Sequence, residues 1–200
     1  MTEFAVPGDS MRIAQLHHGG IQTGFLSRMG TGFLNVLYKY LIKREIVLVY
    51  REGGAVRGFV SCTLNSKRVM RRFITRPDAI LSLLLALLKK PSLMRASFET
   101  MMIPLKHKTS GGPANTQVLP EAELLSITVE PGFQKGGAGT ALLAGLEKTL
   151  RERGVDCYRV VAGAALTGAN NFYRKNGFQL AGEVNIHGKD MSNIYCKSLI

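Results

Sequence analysis

One short run of small residues constrains this chain more than anything else in it. Gln134-Lys135-Gly136-Gly137-Ala138-Gly139 sits between two apolar stretches of different period. Before it, Ala122–Val129 reads as a β-strand and Pro131 closes it. After it, Ala138–Arg153 places Ala141, Leu142, Gly145, Leu146, Thr149 and Leu150 at helical spacing, and Gly154 is the stop. Glu147 and Arg151 are four apart and predict an ion pair along that helix. A strand, a glycine turn and a helix in this order present helix-terminal amides to solvent. Those amides have no partner inside the helix and carry partial positive charge, so an anion is stabilised there. Gly136, Gly137 and Gly139 let a ligand approach the backbone, and Lys135 adds a full charge. A pyrophosphate fits such a loop; a tight turn with glycines for packing alone is the other reading.

Two familiar phosphate loops do not fit. A P-loop requires Lys-Ser/Thr after its glycines, and none follows here. A dinucleotide fingerprint requires a further glycine and an acidic residue ending the next strand, but Tyr158–Ala162 ends without one.

The rest of the chain reads as alternating α and β. Phe4–Val6 is a short strand, and Pro7-Gly8-Asp9-Ser10 a turn leading into a helix that carries Ile13, Leu16 and His17. Gly32–Leu41 is a second helix. Ile46–Tyr50 and Ala55–Ser61 form a hairpin about Arg51-Glu52-Gly53-Gly54. Downstream of the glycine loop come a strand at Tyr158–Ala162, a helix at Thr167–Asn176, and strands at Phe178–Glu183 and Asn193–Ser198. The expected fold is α/β, a single domain over residues 1–200 with a mixed central sheet and helices on both faces.

The 26 Lys and Arg outnumber the 14 Asp and Glu, for a net charge of +12. Residues 63–118 form a basic helical insertion that holds ten basic residues against Asp78 and Glu99, eight of the twelve net charges. Within it Ala79–Lys90 reads as a helix between Asp78 and Pro91, and Thr109–Asn115 as a linker. An excess of this kind favours an anionic partner. The insertion lacks zinc ligands, interleaved aromatics and a helix-turn-helix pattern, so no nucleic acid is expected. Cys62, Cys157 and Cys196 make no paired motif and read as reduced, core-filling residues. His17, His18, His107 and His187 have no metal-ligand spacing, so no metal is expected. The N-terminus has no signal-peptide pattern, and Ala79–Leu88 is half the ~20 residues a spanning helix needs, which points to the cytoplasm.

Three segments together resemble one family. Gln134-x-x-Gly137-x-Gly139 is similar to the acetyl-CoA signature of the GNAT superfamily of N-acetyltransferases. Ser126-Ile127-Thr128-Val129-Glu130-Pro131 resembles that family's central strand and its exit. Ala169-x-x-Phe172-Tyr173-x-x-x-Gly177-Phe178 resembles its downstream motif. Phe25–Leu41 is also similar to a subgroup with acetyltransferases of surface-polysaccharide and amino-sugar biosynthesis. The sequence departs at Leu166, where the family often places an Asn against the pantetheine arm.

The resemblance implies an acetyl-CoA-dependent N-acyltransferase acting on a primary amine. It implies a central strand splayed from its neighbour, with pantetheine paired to the backbone of Ile127, Thr128 and Val129. The pyrophosphate would rest on Gln134, Lys135, Gly136, Gly137, Ala138 and Gly139. Tyr173 matches the family's general acid, Glu123 is the candidate base through water, and Ser126 either touches substrate or fills the strand. The acceptor is expected to be a small anionic amine, such as an amino sugar on a nucleotide or lipid carrier. Arg68, Arg71 and Arg72 suit phosphate, and the insertion would recognise that acceptor or the anionic membrane bearing it. A homodimer is a further expectation. The alternative is a non-catalytic CoA-binding or sensor domain of the same fold.

Overall fold

A computed structural model describes residues 1–21, 25–89, 119–185 and 191–200. Seven strands form one mixed sheet in the order β1-β2-β3-β4-β5-β7-β6. The strands are β1 (Thr2–Phe4), β2 (Ile46–Glu52), β3 (Ala55–Thr63), β4 (Glu123–Val129), β5 (Cys157–Gly163), β6 (Gln179–Asn185) and β7 (Met191–Ser198). The helices are α1 (Ser10–Gly20), α2 (Phe25–Arg28), α3 (Gly30–Arg44), α4 (Ser66–Ile74), α5 (Pro77–Lys89), α6 (Ala138–Glu152) and α7 (Thr167–Lys175). All strand pairs are antiparallel except β4 with β5. Gly53 and Gly54 both take positive φ, which the tight β2–β3 turn requires and a β-carbon would oppose.

The alternation of the central strands builds two cores, one on each face of the sheet. One face carries Leu48, Val60, Leu124, Tyr158, Val160 and Tyr195 against the apolar stripe Leu142, Leu143, Leu146 and Leu150 of α6, with Tyr173 and Phe178 beside it. The other carries Val47, Val49 and Phe59 against Ile13 of α1, Leu34 and Leu37 of α3, and Phe73 of α4. Helices therefore cover both faces, as the periodicity implies.

Several local expectations are corrected. The first strand is Thr2–Phe4 rather than 4–6, because Val6 turns to give its N–H to the Asp9 carboxylate at 2.9 Å. The second long helix runs three residues beyond Leu41 and starts at Gly30. Helix α4 was not anticipated, although Asn65 caps it by accepting the Arg68 N–H at 2.9 Å. Helix α5 starts at Pro77, the favoured residue for a first turn. The Glu147–Arg151 pair does not form. Glu147 instead accepts from Tyr158 Oη at 2.9 Å and Lys197 Nζ at 2.5 Å, while Arg151 Nε donates to the Leu199 carbonyl at 2.9 Å. Of the cysteines only Cys62 is core; Cys157 is exposed and Cys196 half-buried, and all three are free. The linker at Thr109–Asn115, His107, His187 and the insertion beyond Lys89 lie outside the described residues.

Candidate functional site

The sheet has one seam. Strands β4 and β5 pair only at Glu123 with Arg159 and Leu124 with Val160. Beyond that point β4 runs on to Val129 beside β3 alone. The Glu130 N–H bonds the Arg57 carbonyl at 2.7 Å, so by alternation Thr128 also turns its backbone groups to β3, while Ile127 and Val129 turn theirs to the seam. Backbone edges of this kind accept an added strand. The Val129 carbonyl is already taken by the Gln134 side-chain amide at 2.9 Å. That bond ties the glycine loop to the strand it leaves.

The loop itself is a concave array of donors. A single 3₁₀ turn at Pro131–Phe133 follows β4, and Gly137 is the N-cap of α6, with no side chain capping the helix. Lys135 and Gly137 adopt left-handed φ of 64° and 84°. Backbone that reverses hand at alternate residues turns successive N–H groups to one side and forms an anion nest. The Gln134 N–H is spent on the Pro131 carbonyl at 3.3 Å, but no backbone bond takes up the N–H groups of Lys135 through Thr140. Those N–H groups and the dipole of a fifteen-residue helix meet at this turn, which also carries Lys135. Space is open there: a β-carbon at Gly137 would meet no heavy atom within 4 Å, and one at Gly136 only the Phe133 carbonyl oxygen at 3.8 Å. A pyrophosphate is matched in charge, donor number and access.

Contacts from three neighbouring elements hold this loop in place. Glu130 bridges Arg12 of α1 at 2.8 Å and Arg57 of β3 at 2.9 Å, and both cations keep its carboxyl below the usual carboxylate range. The Arg57 guanidinium also lies 4.5 Å from the Phe133 ring centre. Gly139 packs against Phe172, whose ring a β-carbon there would meet at 3.2 Å. The beginning of α6 is thus fixed to α7. Neither Glu130 nor Arg12 was singled out by sequence reasoning; an acid just before Pro131 is the only local signal.

Tyr173 lies on α7 at 6% exposure, ringed by Phe172, Phe178 and Tyr195. Burial raises its phenol well above the ordinary value, so it stays protonated at neutral pH. Glu123 is at the closed end of the seam. Its Oε2 accepts from Arg159 Nε at 3.1 Å and Nη2 at 2.7 Å, so the carboxylate is committed to an ion pair with its cross-strand partner. Arg159 Nη2 also reaches Ser66 Oγ at 3.5 Å, which brings the N-terminus of α4 to this end of β4. The structure therefore puts the glycine loop at one end of β4 and Glu123 at the other.

Ser126 is buried beneath the seam, and with Ser61 it flanks the phenol of Tyr38. His17 Nδ1 lies 2.6 Å from that phenol oxygen, and burial lowers the imidazole to about 4, leaving it neutral. This buried polar chain had no sequence signature, since its members are scattered over α1, α3, β3 and β4. Asn170 does not replace the Asn absent at Leu166. Its amide donates to the Gly163 and Leu166 carbonyls at 3.0 and 2.7 Å, and its oxygen accepts from Asn193 and Tyr195, so it is spent inside the fold. Among the described residues no cluster of metal-binding side chains exists, and no helix is long and apolar enough to cross a membrane.

Comparison with known proteins agrees with this geometry. Residues 110–178 match the model of the acetyltransferase (GNAT) family. Among solved structures, an N-acetyltransferase from Staphylococcus aureus is 16% identical, with a TM-score of 0.63 over 100% of this chain and 98% of that one. A ribosomal-protein-alanine N-acetyltransferase from Brucella melitensis is 17% identical, TM-score 0.60, covering 99% of each chain. The PaiA N-acetyltransferase from Thermoplasma acidophilum, in complex with coenzyme A, is 14% identical, TM-score 0.60, over 99% and 98%. No curated protein matches the chain in sequence. The solved N-acetyltransferases share their fold with the whole chain, and the acetyltransferase (GNAT) family model matches the segment that builds the loop and the two helices around it.

Proposed function

We propose that the chain transfers an acetyl group from acetyl-CoA to a primary amine on a small anionic acceptor. The observation that carries this is the row of unbonded N–H groups from Lys135 to Thr140 at the end of a strand whose seam edge is open. A neighbour of the same fold is in complex with coenzyme A.

Acetyl-CoA supplies the activated acetyl thioester, and the chain's residues position it. Lys135, Gly136, Gly137, Ala138 and Gly139 receive the pyrophosphate, with Gln134 acting through its side chain to lock the loop to Val129. The backbone of Ile127 and the N–H of Val129 pair with the pantetheine arm as an added strand; Thr128 lines the strand without facing the seam. Tyr173 gives its proton to the departing sulfur: burial keeps its phenol protonated at pH 7, and it stands on the helix whose Phe172 packs against Gly139 of the loop. Glu123 receives a proton from the amine through water only if Arg159 shares it. The acceptor enters at the Glu123 end, where the exposed Lys67 and Arg68 at the start of basic α4 suit a phosphate or carboxylate. An amino sugar on a nucleotide or lipid carrier has that chemistry.

The same geometry supports one other reading. Glu123 is tied to Arg159 and so not free as a base, which favours a CoA-binding domain that senses without reacting. Incubation with acetyl-CoA and a panel of amino sugars, free and phosphate-linked, tests both. Time-dependent release of free thiol with matching acetylated amine supports transfer. Tight acetyl-CoA binding without thiol release, across the panel and with water, would leave the sensor.

A further inference from the structure

We propose that α4 and α5 together form a docking surface for an anionic lipid bilayer. The proposal rests on the outer faces of these helices and not on the transfer reaction. Helix α5 packs Ala79, Leu83, Ala86 and Leu87 inward against the α1–α3 core. Its opposite side bears Ile80, Leu81, Leu84, Leu85 and Leu88 at 46, 59, 52, 51 and 78% exposure. At 100° per residue these five fall within one arc of about 140°. A thirteen-residue helix with an apolar stripe on each side needs a second apolar environment.

The charge beside it says which one. Helix α4 buries Val69 and Phe73 and exposes Lys67, Arg68, Arg71 and Arg72, again within one arc. None of these four cations is in an ion pair among the described residues. By contrast Arg12, Arg51, Arg57, Arg76 and Arg159 are all paired with acids. Exposed cations beside an exposed leucine stripe match the interface of an anionic bilayer, where headgroups meet the cations and acyl chains the leucines. A soluble anionic acceptor would need the cations but not an apolar stripe directed at solvent. Because Ser66 at the start of α4 reaches Arg159, the docked face lies next to the acceptor end of β4. An acceptor on a lipid carrier would be presented there.

Vesicle flotation tests this with three forms of the full chain: wild type, Arg71→Gln/Arg72→Gln and Leu84→Ser/Leu85→Ser. The substituted side chains are solvent-exposed, and acetyl-CoA thermal shifts unchanged from wild type show that each variant is folded with its cofactor loop intact. Wild type is expected to float with phosphatidylglycerol-containing vesicles at low salt, to release at high salt, and to stay behind with pure phosphatidylcholine. The arginine pair should partition roughly thirtyfold more weakly, and the leucine pair should be lost from the vesicles at any salt. Absence of flotation overturns the proposal, as does flotation indifferent to lipid charge. So does a concentration-dependent dimer that the leucine variant splits without any flotation, which would give the stripe to a second copy. A large loss of melting temperature in the leucine variant without flotation would give it to the chain's own segment 90–118.

Discussion

Two substitutions in the glycine loop should move stability in opposite directions while both weaken acetyl-CoA binding. Gly137 has φ of 84°, and a β-carbon there meets nothing within 4 Å. Gly137→Val therefore suffers no clash with neighbours; its cost is backbone strain of about 1–3 kcal/mol. For a chain of this length that lowers the melting temperature by roughly 2–4 °C per kcal/mol. Lys135 already sits at a left-handed φ of 64° without being glycine. Lys135→Gly removes that strain, offset in part by the entropy of a freer unfolded chain, and should gain up to ~1 kcal/mol. Acetyl-CoA at one hundred times its dissociation constant should stabilise wild type by ~2.7 kcal/mol, a rise of roughly 5–10 °C. Differential scanning fluorimetry with and without ligand reads all of these. We expect Gly137→Val to melt lower and show no ligand-induced rise, because its side chain occupies the open space beside the N–H groups that a ligand needs. We expect Lys135→Gly to melt level with or above wild type and to keep a rise reduced by a several-fold weaker affinity. A full wild-type rise in Gly137→Val, or a loss of stability in Lys135→Gly as large as that in Gly137→Val, would refute the nest.

Tyr173→Phe should cut kcat by roughly 10²-fold and leave the KM for acetyl-CoA unchanged, and steady-state kinetics with an unchanged kcat would remove Tyr173 from the chemistry. Glu123→Gln should lower kcat by roughly 10²-fold, and an unchanged kcat would leave Glu123 as the partner of Arg159 alone. His17 is held neutral at about 4 against an ordinary 6.5, so its contribution to stability is complete above pH 6.5 and disappears as pH falls towards 4, by up to ~3 kcal/mol. Urea unfolding across pH 4–7 should show this slope and His17→Gln should flatten it; equal slopes in both would place the acid sensitivity elsewhere.

What the sequence made legible was whatever a short window encodes. The glycines at 136, 137 and 139 declared an open strand-to-helix turn, because backbone access needs missing side chains. The β-rich run Ala122–Val129 ahead of Pro131 declared a strand. What stayed hidden depends on distant partners. Glu147 has Arg151 four residues on, yet Tyr158 and Lys197 win it, since a buried carboxylate is better satisfied by two converging donors than by one exposed arginine. Helix α4 was masked by its cations, although Val69 and Phe73 are four apart behind an Asn cap. The glycine turn is a short motif, whereas the Arg12–Glu130–Arg57 clamp joins α1 and β3 through the residue just past β4, a set that no local pattern links. That Lys135 would share the left-handed geometry of Gly137 is likewise a property of the closed loop.

The two-rung pairing of β4 with β5 has a consequence for motion. On one side of it stand four antiparallel strands, on the other three, and among the described residues they are joined by the rungs at Glu123 and Leu124, the contacts of Arg159 with Glu123 and Ser66, and the packing of α6 and α7. The ligand-free molecule is thus soft along one line, and its slowest-protected regions should be two separate blocks. A pantetheine arm laid along Ile127 and Val129 would act as a missing rung-bearer, so that occupancy and rigidity rise together. The amide protons of Ile127 and Val129, quick to exchange in the free protein, would then report directly on how long the ligand stays.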